Sequence, residues 1–385
     1  MPDTGEAVAE PVRVMHLVHS FGYGGMEVGV AKLANAIDPS IVSTSICSCR
    51  PSDSLKERLR PEVRLFEFDR RPGHDVRLIP QLYNLLRQER PTVLHTHGWA
   101  TACEGLLAAR LARVPLVVHG EHGTLETRRR NVLVQRWVWG QASRVLSVSS
   151  RLSERMAREI GFPTDRIQVI RNGVDTNRFN PGRRPAARAT FGLGADQVVL
   201  GTAGRLVPVK DQATLLRAWA ILRSRGHAFT GLVAGNGPLE FQLTRLARSL
   251  GLDNVHFLGN RPDVEQVLAT MDVFILSSEA EGLSNTIQEA MATGLPVVAT
   301  QVGGADELVV EDETGLLVPA KNPEVLANAI ERLMADTSLR VRMAEAGRRR
   351  ATQVMALARM VREYVQVYQE LAATTASRSA ARVSG

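Results

Sequence analysis

Lysine is nearly missing from this chain. Of 47 basic residues only those at positions 32, 56, 210 and 321 are lysine, and the rest are arginine. Cysteine is equally scarce. Cys47, Cys49 and Cys103 are too few for a disulfide framework, which excludes the small secreted scaffolds. Cys47-x-Cys49 puts two thiols on one face of a strand, and without further cysteine partners they read as packed rather than as a metal half-site. Aromatic residues make up 5% of the chain and no nucleic-acid motif occurs, so nucleic acid is not expected as a partner despite a net charge of +7. No apolar run reaches the ~18 residues that span a bilayer. The opening Met1-Pro2-Asp3-Thr4-Gly5-Glu6 is acidic and polar, unlike a signal peptide, so a cytoplasmic location is expected. The pair Asp-x-Asp, which would hold a divalent cation on a diphosphate, is also missing, so no such metal is expected, and no cofactor is expected either.

What is present points to a globular enzyme. With 385 residues, 44% apolar and 23% charged, two domains are expected. Up to Asp175 there are 24 basic and 19 acidic residues, a balance of +5. From Thr176 onward there are 23 and 21, a balance of +2. The excess in the first half fits attraction to an anionic acceptor or an anionic membrane surface. Arg128-Arg129-Arg130 precede an apolar segment containing Trp137 and Trp139. That segment reads either as a helix packed on a sheet or as an interfacial anchor.

One stretch organises the rest. The apolar run Val273-Phe274-Ile275-Leu276 reads as a buried parallel strand. A tight Glu281-Gly282-Leu283-Ser284-Asn285 loop follows, and Ser284 or Asn285 can cap the helix that starts there. Free backbone N–H groups and a positive dipole end then face the strand tip, where an anion can sit. Glu281 lies in the loop and Glu289 about one turn inside the helix. An isolated glutamate is more often a solvated surface residue. Two carboxylates flanking an anion cradle suit a sugar nucleotide, whose diphosphate is the anion and whose sugar and ribose are polyols.

Elsewhere strands and helices alternate, which predicts parallel sheets covered by helices. Strands are expected at 12–18, 42–47, 63–66, 92–95, 116–119, 145–148 and 167–170, with helices between them, such as 28–37, 79–87 and 101–111. Gly22-x-Gly24-Gly25-x-Glu27 joins the first strand to the first helix. Its glycines allow close approach to a phosphate or sugar, but the spacing is not the dinucleotide fingerprint. Histidines gather at two strand ends: His95 and His97, then His119 and His122. Each reads as a strand-end hydrogen bonder, as a neutral donor to a sugar or acceptor, or, with the neighbouring Glu121, as a zinc ligand.

After a linker at 181–185 the pattern restarts. A strand at 198–202 leads to Gly204-Arg205-Leu206 and Lys210, a fork and a point charge suited to a diphosphate. Gly235-Asn236-Gly237 forms a glycine-rich turn, and Val255-His256-Phe257 a further strand. Helices are expected at 340–350 and 354–371, and 372–385 reads as an unstructured tail.

Gly24-Gly25-x-Glu27, Asn172-Gly173-Val174-Asp175, Gly204-Arg205-Leu206 with Lys210, and Glu281-x7-Glu289 with Glu289-Ala290-Met291-Ala292 together resemble the retaining glycosyltransferase family 4 over residues 12–371. The opening around His16 and Gly22–Glu27 is similar to its branch associated with extracellular polysaccharide and PEP-CTERM/exosortase systems. The resemblance implies an α/β fold of type GT-B, with two doubly wound Rossmann-like domains facing across a cleft. It implies an acceptor domain at 1–180, a nucleotide-sugar domain at 181–350, and a crossing helix at 351–371. The donor is then a nucleoside-diphosphate sugar and the acceptor a glycan or a lipid-linked molecule. The enzyme is expected in the cytoplasm, with room for peripheral contact at the inner face of the membrane. Arg205 and Lys210 would hold the diphosphate, Glu281 the donor sugar, and Glu289 the ribose. Gly24, Gly25, Glu27, His97, His119 or His122, and the backbone of Gly282, Leu283, Ser284 and Asn285 would line the site. Gly235, Asn236, Gly237 and Phe257 would border the nucleotide. A sugar-nucleotide 2-epimerase and a catalytically silent nucleotide-sugar binder are the alternatives on the same fold.

Overall fold

A computed structural model describes residues 10–383 except 53, 72–74 and 124. The acidic N-terminus, Thr124 and the last two residues lie outside the described residues. The chain forms two compact units, residues 1–171 with 358–385, and residues 172–357.

The first unit holds β1 (Val12–Val18), β2 (Val42–Ser48), β3 (Arg64–Glu67), β4 (Val93–His97), β5 (Leu116–Glu121), β6 (Arg144–Ser147) and β7 (Ile167–Val169). Their order is β3-β2-β1-β4-β5-β6-β7 and every pairing is parallel. The helices between them are α1 (Gly25–Ala36), α2 (Leu78–Glu89), α3 (Trp99–Ala112), α4 (Arg129–Gln141) and α5 (Ser150–Arg155). Central β4 and β5 are buried along their whole length, so the polar residues at their carboxyl ends, among them His95, His97, His119 and Glu121, must find partners inside the fold. One apolar layer joins β1 and β4 to α2 and α3 through Met15, Leu17, Leu82, Leu94 and Leu106.

The second unit repeats the design. Its α6 (Arg184–Thr190) precedes β8 (Val199–Ala203), which is followed by α7 (Gln212–Ser224), β9 (Thr230–Ala234), α8 (Glu240–Ser249), β10 (Val255–Phe257), α9 (Val264–Thr270) and β11 (Val273–Leu276). Next come α10 (Asn285–Thr293), β12 (Val297–Thr300), α11 (Ala305–Leu308), β13 (Gly315–Val318), α12 (Pro323–Ala335) and α13 (Thr337–Val354). The sheet order is β10-β9-β8-β11-β12-β13, again parallel. The final helix, α14 (Leu357–Val383), belongs to the first unit from Ala358 onward.

Three local readings change. The segment expected as a linker is ordered: Pro181–Arg183 makes a 3₁₀ turn that runs into α6, where Arg184 is anchored on Asp272 at 2.6 Å. The last helix starts at Leu357 rather than 354, because Val174 bridges the chain there. Its N–H donates to Met355 O at 2.8 Å, and its carbonyl accepts from Leu357 N–H at 2.9 Å. The segment expected as an unstructured tail from 372 continues α14 to Val383. Its alanines lose little entropy in a helix, and the preceding turns supply the nucleus.

Candidate functional site

In the second unit the sheet reverses its direction of growth between β8 and β11. Ligands on such sheets bind beyond the carboxyl ends of the strands that flank this point. β8 leads into Gly204, Arg205 and Lys210, and β11 leads into Ser277, Ser278 and Glu281. The two loops are tied together. Lys210 Nζ donates to Glu281 Oε1 at 2.5 Å, and Ser278 Oγ donates to the same oxygen at 2.6 Å. The lysine side chain is 18% exposed and the glutamate side chain 10%, so the pair is sheltered but open to a ligand. Beneath it Ser277 Oγ donates to Asp211 O at 2.9 Å, and Glu279 N–H donates to Val209 O at 2.8 Å.

The Glu281 loop also leans on a residue from after β12. Gly303 has φ +56°, and a Cβ there would lie 2.1 Å from Glu281 O. The neighbouring Gly304 N–H donates to Gly282 O at 2.9 Å. Leu283 and Ser284 are buried, and Ser284 Oγ caps α10 by accepting from Ile287 N–H at 3.4 Å. Asn285 Oδ1 accepts from Asn172 Nδ2 at 3.1 Å, which brings the Asn-Gly-Val-Asp run against the first residue of α10. Glu289 is buried one turn further in.

Arg205 is exposed at the turn after β8. That turn is paired with the turn after β9, since Leu206 N–H donates to Asn236 O at 2.8 Å. Gly235 has φ +126°, and a Cβ there would lie 2.0 Å from Gly204 O, so no side chain fits between the two turns. Phe257 lies near the second of these turns, paired with Val233 of β9 and two residues before Gly259, whose carbonyl accepts from Gly235 N–H at 2.8 Å. It sits on edge strand β10, separated from β11 by β9 and β8, and packs half-buried against the apolar core.

The first unit has its own switch point, between β1 and β4. Beyond β1, Gly24 is the N-cap of α1, and Glu27 Oε2 occupies the place where a Cβ of Gly24 would stand, 2.1 Å away. A carboxylate in the first turn of a helix is favourable, because it lies at the positive end of the helix dipole. Gly25 lies in the same first turn.

Beside this turn the histidines form a hydrogen-bonded line. His16 Nδ1 and His97 Nε2 are 3.0 Å apart, and His97 Nδ1 and His122 Nε2 are 2.9 Å apart. Burial pushes His16 down to about 4. Burial, with a contribution from His119, pushes His122 down to about 3. His95 and His97 are held well below the ordinary range by burial first and by their neighbouring rings second. All four are therefore neutral near pH 7. A neutral imidazole has one N–H, so His97 must donate from one nitrogen and accept at the other, and the line has a direction.

His95 stacks on His97 with ring centroids 4.1 Å apart, and its Nδ1 meets Tyr368 Oη of α14 at 2.8 Å. His119 is different. Its Nδ1 meets Thr96 Oγ1 at 2.8 Å and its Nε2 meets Glu121 Oε1 at 3.0 Å, and it is fully buried beside Trp139. Both its nitrogens are occupied, whereas His122 is half-buried at the outer end of the line.

His16, His95 and His97 bring one nitrogen each within 4.8 Å of one another, and Nε2 of both His16 and His95 lacks a partner among the described residues. Three imidazoles fit a transition metal, and Glu121, the carboxylate the sequence set beside them, is turned to His119 instead.

Sequence reasoning missed His16, Tyr368, Gly303 and Asn172 as parts of these sites. The available signal was a histidine within the apolar run Val14-Met15-His16-Leu17-Val18, since a polar residue in a buried strand needs a partner.

Comparison with known proteins gives a consistent picture. The family model described as Glycosyl transferases group 1 matches residues 183–350, and that described as Glycosyltransferase Family 4 matches residues 23–178. The chain is 30% identical to a UDP-Gal:alpha-D-GlcNAc-diphosphoundecaprenol alpha-1,3-galactosyltransferase of Escherichia coli, over 76% of this chain and 80% of that one. It is 34% identical to a D-inositol 3-phosphate glycosyltransferase of Saccharomonospora viridis, over 67% of this chain and 65% of that relative's length. Its fold matches Anabaena Alr3699/HepE, solved in complex with UDP and glucose, with a TM-score of 0.83 and 24% identity over 93% of this chain and all of that one.

Proposed function

The chain belongs to glycosyltransferase family 4, and on that premise we propose that its second unit holds a nucleoside-diphosphate sugar and its first unit the acceptor. The observation that carries this reading is the Lys210–Glu281 pair beside the N-terminus of α10, at the switch point of the second sheet. Arg205, Lys210 and the helix N-terminus supply positive charge where the leaving diphosphate gains negative charge, and such differential stabilisation lowers the barrier. Glu281 accepts from the hydroxyls of the transferred sugar, and Glu289 from the ribose diol. Gly235, Asn236 and Gly237 border the nucleotide. In the first unit Gly24, Gly25, Glu27, His97 and His122 serve the sugar and acceptor, with His122 as a neutral partner whose tautomer is set by His97.

The anomeric configuration is retained, and no divalent metal is required for the diphosphate. The acceptor is a glycan or a lipid-linked molecule of cell-envelope or extracellular polysaccharide synthesis; the Escherichia coli relative is named for a diphosphoundecaprenol substrate. The enzyme works in the cytoplasm, in peripheral contact with the inner face of the membrane. Among the described residues no helix is long and apolar enough to cross a membrane. Both matching family descriptions are of glycosyltransferases, which leaves the 2-epimerase and the silent binder without support.

A panel of sugar nucleotides in a thermal-shift assay, run with EDTA present, tests the reading. The true donor at ~100 times its dissociation constant should add about 2.7 kcal/mol of stability. Absence of a response to every nucleoside-diphosphate sugar, or a response only when a divalent metal is restored, counts against it.

A further inference from the structure

We propose that the exposed face shared by α3 and α4 docks the protein onto an anionic lipid bilayer. This builds on the peripheral association proposed above and assigns it to one surface of the first unit.

The face combines large exposed apolar side chains with Arg110, Arg129, Arg130 and Arg136, which make no ion pair among the described residues; Arg128 alone pairs with an acid, Glu126. On α4 the inward stripe is Gln135, Val138 and Trp139, all buried. The outward stripe, at the same helical spacing, carries Leu133 at 62% exposure and Trp137 at 51%. On α3 the inward alanines 108, 109 and 112 are buried, and Leu107 and Leu111 point out at 43% and 62% exposure. Arg110 joins the two helices: its guanidinium lies 5.9 Å from the Trp137 ring centroid and donates to Gln141. Large apolar side chains this exposed on neighbouring helix faces mark an interaction surface rather than ordinary scatter.

Charge decides the partner. Arg129 and Arg130 in the first turn of α4, Arg136 further along it, and Arg110 are all exposed. Between Glu126 and Glu154 the sequence has no acidic residue, and the single acid on α3, Glu104, is buried against Arg70 at 2.9 Å. Three arginines at the positive end of a helix are unfavourable in isolation, since cations belong at the other end. An anionic partner at that end relieves the conflict. At the C-terminal end of α3 lies a groove of about 300 Å³ lined by Arg13, Arg87, Arg90 and Arg113, a size and charge suited to lipid headgroup phosphates. Tryptophan and leucine at the headgroup level, with arginines extending around them to phosphates, is the arrangement by which interfacial helices bind anionic membranes. A protein partner would need acidic groups laid out along both helices, whereas a bilayer supplies anions at every position.

Co-sedimentation of the full chain with vesicles tests this. Phosphatidylcholine vesicles with a phosphatidylglycerol fraction of about one third should carry the protein down, and pure phosphatidylcholine vesicles should not. Added salt should weaken binding. Leu133→Glu with Trp137→Glu should abolish binding. Arg129→Gln with Arg130→Gln should weaken it about 25-fold, at roughly fivefold for each charge near the surface. The altered side chains are exposed, so thermal unfolding should stay within a few degrees of the parent. The arginine pair decides the matter if the glutamate pair does not fold. Failure of the parent chain to bind anionic vesicles overturns both peripheral association and this face. Equal binding by parent and variants overturns the face alone. Self-association lost in the variants without any vesicle binding assigns the face to a second copy of the chain and overturns the lipid assignment.

Discussion

Lys210 Nζ lies 2.5 Å from Glu281 Oε1, a contact that ties the loop after β8 to the loop after β11. An ammonium has three donors, so Lys210 can keep this bond and still reach a phosphate oxygen. The pair braces the Glu281 loop, and in the proposed function it is also the source of charge for the diphosphate. Lys210→Ala should cut turnover by about 100-fold or more, the scale seen when a positioned donor to a developing anion is removed. Lys210→Arg should not restore it, because a planar fork does not replace a point charge at 2.5 Å from a carboxylate. Arg205→Ala should also lower turnover, with stability within ~0.5 kcal/mol of the parent because the side chain is exposed. Steady-state kinetics beside thermal unfolding check all three. Normal kinetics in Lys210→Ala would remove it from the site.

Gly303 sets the height of the Glu281 loop. Its φ of +56° disfavours any residue with a Cβ, and the added atom would meet Glu281 O at 2.1 Å. Gly303→Ala should cost roughly 1–3 kcal/mol, from left-handed strain plus displacement of backbone. Because the displaced backbone is that of Glu281, turnover should fall further than the loss of stability accounts for at a temperature where the variant is fully folded. Denaturant unfolding and initial rates measured on one preparation separate the two effects.

The organising stretch was readable because its signals are local. The run from Val273 to Leu276, the cap at Ser284 and the left-handed Gly294 that ends α10 lie within one strand–loop–helix unit. Gly303 and Asn172 were not readable as parts of it. Their contacts with Glu281 and Asn285 cross 22 and 113 residues, and local spacing carries no information about such pairings. The histidines show the same limit. Strand ends at His97 and His119 were visible, but only the register that sets His16 opposite His95, and α14 laid over both, reveals the hydrogen-bonded line. The helix that replaces the expected tail reflects a different limit: small residues in 372–383 suit a helix once a preceding helix exists.

The histidine line predicts how stability varies with pH. Burial lowers His16 to about 4 in the folded chain, from 6.5 in the unfolded one, so the unfolded chain binds the proton more readily. Stability is then full above about pH 6.5 and falls as pH drops toward 4. His16 alone accounts for a loss on the order of 3 kcal/mol across that window. Thermal unfolding between pH 7 and pH 4 should show a steep fall, and a His16→Asn variant, which keeps a polar group there, should show a shallower one. An unchanged slope in the variant would mean that His16 is not the group responsible.

The two glutamates should separate by kinetics. Glu289 is buried in the second turn of a capped helix, so its carboxylate is held by a rigid element, and in the proposed role it would grip the ribose in ground and transition states alike. Its loss should raise the donor KM and weaken binding of the free nucleoside diphosphate. Glu281 lies in the loop, already bonded to Lys210 and Ser278 through one oxygen, Oε1. In the proposed role its hydrogen bonds to the transferred sugar would change as the anomeric carbon gains positive charge, so its loss should fall mainly on kcat. Glu281→Gln also leaves Lys210 unneutralised, which strengthens its attraction for phosphate. Glu281→Gln should therefore bind the free nucleoside diphosphate as well as the parent or better, and Glu289→Gln should bind it worse. Calorimetry with the nucleoside diphosphate of the donor, on both variants, decides between them. Loss of nucleotide binding in Glu281→Gln with retention in Glu289→Gln would reverse the assigned roles and move the ribose to the loop side of α10.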